Sequence, residues 1–333
     1  MWAMARKLRL EYAGACYHVI NRGNYRRNLF AGEGAAESFE QCLFEAAERF
    51  GWRLHAYVVM RNHYHVALET PEPNLSDGMQ WLQSTWATRF NRYRREIGRP
   101  FQGRYMAMHV QPGPALAEVA HYIHLNPVAS RVVSAEGILD YRWSSLPKFA
   151  AKKRPDTLVA DTVLAECGGL KDTAAGWRRY LQYLALVAEE GPKQREEKFG
   201  KLSRGWAIGT VEFKSEVKQA LAALVEPDNR FELLGADGGA SRELRATIWE
   251  EKLQQAAAAL GISLKKLGPK KSSPDKVQVA ALLKSATSVS NGWLAERLKM
   301  GQPASVSQFV RRFHLGGAGG KPGFKRALSI VKA

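Results

Sequence analysis

The stretch Leu54–Glu69, with the sequence LHAYVVMRNHYHVALE, decides the fold of the first part of the chain. Leu54–Met60 is rich in Val, Leu and Tyr and predicts a strand. His63–Glu69 predicts a second strand. Because only two residues separate them, the two strands should form an antiparallel hairpin.

The second strand of this hairpin carries a His-x-His pair. Side chains alternate along a strand, so His63 and His65 should project from one face and Tyr64 from the other. Two imidazoles side by side form half of a metal site. A pair of structural histidines fits the same pattern, so its interpretation depends on partner residues.

The segments around the hairpin predict alternating strands and helices. In chain order the elements are a strand at Cys16–Ile20, a helix at Glu37–Phe50, the hairpin, a helix at Ser76–Glu96, a strand at Tyr105–Gln111 and a helix at Ala115–Leu125. This order predicts an α+β fold, a ferredoxin-like antiparallel sheet with helices. Pro127 is expected to end the last helix.

A change of composition near Ala150 predicts a domain boundary. We expect the ferredoxin-like domain to occupy residues 1–150, a linker and helical extension residues 151–200, and a mainly helical C-terminal region residues 201–333. Asn291–Gly301 followed by Ser305–Arg312 predicts a helix-turn-helix near residues 290–313. Such a pair would read DNA, although short helix pairs also simply pack together.

The charge balance favours a polyanionic partner. Lys and Arg number 49 and Asp and Glu 32, so the net charge is +17, which favours nucleic acid over an anionic membrane or no partner at all. No apolar run approaches the roughly 18 residues of a membrane span. The three cysteines show no CxxC spacing, which indicates a reducing, cytoplasmic location.

A tyrosine and an asparagine share one face of the predicted helix at Ala115–Leu125. Tyr122 and Asn126 are four residues apart, so a phenol and a carboxamide oxygen could converge on one point. A core tyrosine and a helix-capping asparagine would fit the same positions. His121 and His124 lie off this face and are expected to pack or to contact DNA.

Together these motifs resemble the HUH transposase superfamily, and specifically the REP-associated tyrosine transposases. Met60–His65 and Tyr122–Val128 carry the resemblance. The further matching segments are Tyr17–Asn24, Phe90–Arg92, Phe101–Tyr105 and Tyr141–Ser145. The resemblance covers roughly residues 10–150, and Arg61 stands where the family usually has proline.

The resemblance implies a metal-dependent endonuclease and transposase that cleaves and rejoins single-stranded DNA, at hairpin, REP-like repeats, through a 5′-phosphotyrosine. Tyr122 would be the nucleophile, and His63, His65 and Asn126 would bind Mg²⁺ or Mn²⁺. Residues 1–150 would be the catalytic domain of a bacterial, nucleoid-associated protein. Whether it is a monomer or a homodimer stays open.

Arginines near these motifs are expected to contact phosphates, with neighbouring tyrosines stacking on unpaired bases, although any single one also fits a solvated charge. The expected DNA-binding residues are Arg22, Arg26, Arg27, Arg89, Arg92, Arg94, Arg95, Arg104, Arg311 and Arg312.

Two other functions compete with the transposase. A catalytically idle DNA-binding regulator would keep the fold and use the C-terminal helices. A hydrolase without a covalent step would need carboxylates beside the histidine pair, and Glu69, four residues from His65, is too far along the strand. The glycine-rich segment Gly316–Lys321 departs from P-loop spacing, so we expect no nucleotide triphosphate site.

Overall fold

The computed structural model describes residues 6–190, 192–200, 202–203, 205–223, 231–233 and 238–332. The strands are β1 (Arg6–Leu8), β2 (Ala15–Arg22), β3 (Arg53–Val59), β4 (His63–Thr70), β5 (Met106–Val110), β6 (Ala207–Ile208) and β7 (Phe231–Leu233). The helices are α1 (Glu33–Phe50), α2 (Leu75–Arg94), α3 (Pro114–Ala129), α4 (Ser145–Ala150), α5 (Asp161–Glu166), α6 (Ala174–Glu189), α7 (Pro192–Phe199), α8 (Val211–Ala223), α9 (Gly238–Ala259), α10 (Pro274–Ala286), α11 (Asn291–Arg297), α12 (Pro303–Leu315) and α13 (Pro322–Lys332). None of these helices is both long and apolar enough to span a membrane.

The chain divides into two compact units. The N-terminal unit comprises the described residues between 9 and 217, and the C-terminal unit comprises residues 6–8 and the described residues from 218 onward. Each unit has its own cluster of buried apolar side chains.

A five-stranded sheet organises the N-terminal unit, with the strand order β3-β4-β2-β5-β6. The first four strands pair antiparallel, as the ferredoxin-like prediction requires, so that prediction is confirmed. The hairpin between β3 and β4 is closed by a hydrogen bond of 2.8 Å from the Met60 amide to the His63 carbonyl oxygen. The short β6 adds a parallel pair at the outer edge of β5.

The two faces of β4 contact different layers, as alternation along a strand requires. Tyr64 is fully buried on the α1 and α2 side, where its ring lies 4.5 Å from Phe39 and its hydroxyl accepts a hydrogen bond from Gln83. The imidazole of His65 faces the opposite way, and its ring centroid lies 5.4 Å from that of Tyr122 on α3.

Helix α3 continues past the proline that was expected to end it. It runs to Ala129, and Pro127 lies inside it. A proline within a helix removes one backbone hydrogen bond, but here the Asn126 carbonyl oxygen still accepts from the Ser130 amide at 2.9 Å. Asn126 is therefore a helical residue rather than a cap.

Residues beyond the boundary predicted at 150 complete the N-terminal unit, which extends to Val217. The segment at Thr157–Val159 pairs with the edge of β3, where the Leu54 amide donates to the Thr157 carbonyl oxygen at 2.7 Å. Trp177 of α6 stacks on Phe149 with ring centroids 4.9 Å apart. A change in composition shows where the chain becomes more polar or more charged. It does not predict whether the residues that follow pack on the same unit.

The C-terminal unit is mainly helical. Helices α11 and α12 are joined by a short turn in which Lys299 and Gly301 have positive φ. Leu294 and Val306 are fully buried between the helices of this unit. The two helices lie where a helix-turn-helix was expected, and their role as a DNA-binding motif stays a prediction.

Candidate functional site

The site forms where β4 passes beneath α3. His63 and His65 project from the same face of β4, with ring centroids 5.1 Å apart. Tyr122 lies above them on α3, 5.4 Å from His65 and 5.9 Å from His18 between ring centroids. The structure thus brings together the predicted histidine pair and the predicted tyrosine.

A chain of hydrogen bonds fixes the tautomer of His65. The Leu202 carbonyl oxygen can only accept, so His18 Nδ1 donates to it over 2.7 Å. A neutral His18 then leaves Nε2 as an acceptor, and His65 Nδ1 donates to it over 2.9 Å. The lone pair of His65 therefore resides on Nε2, the atom available to a metal ion.

The same reasoning applies to His63. The Asn62 amide donates Nδ2 to the Arg26 carbonyl oxygen at 3.4 Å, and its Oδ1 accepts from His63 Nδ1 at 2.7 Å. Burial, followed by the charge of Arg22, lowers the pKa of His63 to about 4. Burial and then His18 lower the pKa of His65 well below its usual value. Both rings are neutral near pH 7, as metal ligands must be.

Asn126 supplies an unsatisfied oxygen at the same site. It is buried, and its side-chain Oδ1 has no hydrogen-bond partner among the described residues. A buried acceptor without a partner is destabilising by about 1–3 kcal/mol. Two neutral imidazoles and an orphaned carboxamide oxygen form a donor set that fits a divalent cation.

The phenol of Tyr122 is half-buried. Burial raises its pKa, whereas hydrogen bonds with the side chains of Ser203 and Asn126 and the charge of Arg22 lower it. Phe199 covers the ring with centroids 5.9 Å apart. Burial disfavours the nucleophilic phenolate, and the hydrogen bonds oppose that effect.

Neither neighbouring histidine is positioned as a base for Tyr122. His124 hydrogen-bonds Tyr180 and Ser145, both at 2.8 Å, and is fully buried. His121 Nε2 lies 3.2 Å from the Cys167 sulfur. Both side chains pack α3 against the helical extension.

The structure places some of the predicted arginines beside the site and others away from it. Arg22 of β2 lies directly opposite His63 of β4 in the antiparallel ladder. Arg89, in contrast, is held by Glu45 of α1 at 2.9 and 3.1 Å, in the layer on the other face of the sheet. Arg27 and Arg94 both form ion pairs with Glu96. The remaining predicted arginines are exposed: Arg26, Arg92, Arg95, Arg104, Arg311 and Arg312.

Sequence reasoning missed four residues of the site. His18 lies in a strand that was predicted, but its contact with His65 depends on the register in which Ala67 opposes His18. Phe199, Leu202 and Ser203 lie far along the chain, and no local pattern marks them. The one sequence feature that could have identified any of these four residues is the presence of His18 in the strand predicted at Cys16–Ile20.

Comparisons with known proteins find two similarities, and each covers less than half of the chain. Residues 12–126 match the family described as "Transposase IS200 like". No curated protein matches the chain significantly. The chain is also similar to the solved structure of a REP-associated tyrosine transposase bound to a REP hairpin, with 18% identity over 48% of this chain and 93% of that chain and a TM-score of 0.38. The family match includes both histidines, Tyr122 and Asn126.

Buried histidines should make the stability of the N-terminal unit depend on pH. Burial lowers the pKa of each of these: His18, His63, His65, His109, His121 and His124. Their folded pKa values lie below the unfolded value of about 6.5, so stability is fully present above about pH 6.5 and falls as the pH drops toward about 4. Each histidine contributes a slope of up to about 1.4 kcal/mol per pH unit.

The measurement is urea unfolding at several pH values between about 7 and about 5, with unfolding monitored by tryptophan fluorescence. The free energy of unfolding should decrease steadily. His314→Gln, at an exposed position in the other unit, is the control and should leave the slope unchanged. A stability that does not change across this range would contradict the burial of neutral histidines.

Proposed function

We propose, from the match of residues 12–126 to the family described as "Transposase IS200 like", that the protein is a DNA strand transferase. It would cut and rejoin single strands through a 5′-phosphotyrosine on Tyr122. The observation that carries the proposal is the convergence of Tyr122 with the histidine pair His63 and His65, together with the unpartnered oxygen of Asn126 one helical turn further along α3. A purely structural histidine pair would not require that orphaned oxygen.

The proposed reaction exchanges one phosphodiester for another. The Tyr122 oxygen loses its proton and attacks the scissile phosphorus, while the bond to the 3′ oxygen breaks and that oxygen takes up a proton. The 5′ phosphate is then joined to the tyrosine. The bond energy is kept, so a 3′-OH can reverse the reaction without ATP. Hydrogen bonds from Ser203 and Asn126 would stabilise the phenolate.

His63, His65 and Asn126 would hold the divalent cation, Mg²⁺ or Mn²⁺. When bound there, such an ion would polarise the scissile phosphate and neutralise developing charge. The role of His18 is to orient His65, and that of Asn62 is to orient His63.

DNA would approach along the loop that follows β2. Tyr25 is 93% exposed and, like Arg26, has a positive φ, an uncommon conformation that costs about 1–3 kcal/mol. The loop is tied to the hairpin by the Gly23 amide, which donates to the Asn62 carbonyl oxygen at 2.7 Å. An exposed aromatic between arginines suits unpaired bases, including those flanking a hairpin.

A catalytically idle DNA-binding regulator is the second candidate. The observation that favours it is the burial of Tyr122 under Phe199, which raises the pKa of the nucleophile. Formation of a covalent DNA adduct would exclude this candidate.

Tyr122→Phe should reduce cleavage of a single-stranded hairpin oligonucleotide by at least about a thousandfold, because only the nucleophilic oxygen is removed. Binding of the same oligonucleotide should be unchanged. Denaturing gel electrophoresis would detect the protein–DNA adduct. Tyr64→Phe is the control, since its hydroxyl faces the other side of the sheet, and it should form the adduct normally. An adduct in Tyr122→Phe would place the nucleophile elsewhere.

The metal assignment predicts a graded loss of Mn²⁺ binding without DNA. His65→Ala removes a ligand and should abolish binding. His18→Ala removes only the group that orients His65 and should weaken binding by about 10–100-fold. Electron paramagnetic resonance of free Mn²⁺ would measure Mn²⁺ binding by both variants, with His314→Ala as control. Full cleavage in excess chelator would refute the metal site.

The C-terminal unit would add affinity for DNA through α12. Val306 and Val310 of this helix are buried, and its outer face presents Gln308, Arg311 and Arg312 to solvent. A basic, polar face opposite an apolar one is what a recognition helix needs.

Replacing Arg311 and Arg312 together by Glu should weaken DNA binding and make its salt dependence shallower. Each lost phosphate contact lowers the slope by about 0.7–0.9. The matched control replaces the exposed Lys325 and Arg326 of α13 by Glu, an equal charge change outside the helix pair. Titrations at several salt concentrations would separate the variants. Equal effects of the two pairs would mean that α12 contributes only general charge.

A further inference from the structure

A second group of metal-ligating side chains lies at the far end of the sheet face that carries the candidate site. Cys16 of β2 and Glu69 of β4 oppose each other directly in the ladder, so their side chains share one face. Glu69 is four residues from His65 on the same strand, about 13 Å at the usual rise of a strand. The two groups are therefore separate sites.

An irregularity in β3 completes this second group. The pairing of β3 with β4 shifts register between Leu54 and Ala56, which leaves His55 as an extra residue. Such bulges redirect side chains. Nε2 of His55 lies 3.6 Å from Oε2 of Glu69.

His55 is buried in an unusual way. It is 2% exposed, and neither ring nitrogen has a hydrogen-bond partner among the described residues. Buried polar atoms are normally satisfied, so a buried imidazole whose contact with the Glu69 carboxylate is too long for a hydrogen bond indicates a missing ligand. The Cys16 sulfur is also buried, and it makes a long contact of 4.0 Å with the Gly14 carbonyl oxygen.

We propose that Cys16, His55 and Glu69 form a structural site for a divalent cation of the zinc class. One ligand atom from each residue lies within 4.8 Å of the other two. Thiolate, imidazole and carboxylate are the ligands that Zn²⁺ takes, and water can fill a fourth tetrahedral position. Mg²⁺ and Mn²⁺ prefer oxygen ligands, so the thiol distinguishes this site from the pair at His63 and His65.

Binding would join the neighbouring strands β3, β4 and β2 at one end. On coordination the Cys16 sulfur forms the metal bond and its proton leaves to solvent. Arg53 now holds Glu69 at 3.2 Å, but its side chain is 45% exposed and also lies 3.7 Å from Asp161, so it has a second carboxylate to contact. The site would fix the bulge and the β2–β4–β3 register. This inference does not depend on the proposed DNA chemistry.

Cobalt titration of the full-length, chelator-treated protein tests the proposal. Co²⁺ is a spectroscopic substitute for Zn²⁺, and a thiolate ligand gives it an intense near-ultraviolet charge-transfer band. We expect one equivalent of Co²⁺ to produce this band and Zn²⁺ to abolish it by displacement. Cys16→Ala should lose the band. Zn²⁺ should raise the thermal midpoint of the parent protein and should not raise that of the variant.

Matched variants separate this site from the others. Cys42→Ala and Cys167→Ala remove the other two cysteines of the chain and should keep the band, as should His63→Ala with His65→Ala. Glu69→Gln keeps the thiol and the side-chain size, and should keep the band but bind Co²⁺ more weakly. Absence of the band in the parent, its loss in Cys167→Ala, or unchanged affinity in Glu69→Gln would overturn the proposal.

Discussion

The alternation of side chains along β4 is the constraint on which the rest of the N-terminal unit depends. Tyr64 enters the layer of α1 and α2, while His63 and His65 face α3. A slip of one residue in the β2–β4 register would bury both imidazoles among apolar side chains and expel Tyr64 from the core. Core packing and site assembly are thus fixed by one register, so a shift of register that separated the site residues would also cost stability.

Local periodicity explains which parts of the site could be predicted from sequence. The histidine pair follows from a period of two, and the match of Tyr122 with Asn126 follows from the helical period. Neither period predicts the hydrogen-bond partner of His65. His18 meets it only through the pairing of β2 with β4, and Leu202 lies 184 residues from His18. The sequence predicts which faces carry chemistry, whereas tertiary pairing decides what those faces contact.

The extension beyond the family-matched segment is part of the site rather than an accessory to it. The match ends at residue 126, yet Leu202 sets the tautomer of His18 and thereby that of His65. Phe199 and Ser203 act on Tyr122 in opposite senses, since one buries the phenol and the other hydrogen-bonds it. The pKa of the Tyr122 phenol is therefore affected by a segment that lies beyond the domain boundary predicted near residue 150.

The unsatisfied groups of the unit favour ligand binding over a purely structural explanation. A structural histidine pair could form hydrogen bonds on both nitrogens of each ring, and a structural asparagine could bond its carbonyl oxygen, at no loss of stability. Instead, among the residues that the structure describes, the Asn126 oxygen has no hydrogen-bond partner, and neither do the two ring nitrogens of His55, which lie near a thiol and a carboxylate. Natural proteins tolerate such deficits mainly where function requires them. The two sets of unsatisfied atoms lie beside metal-ligating groups of different softness. At one end of the sheet face the candidate ligands are oxygen and nitrogen atoms, and at the other end they include the sulfur of Cys16. If both proposed sites bind metal, one sheet face would discriminate between a hard cation for catalysis and a softer one for structure.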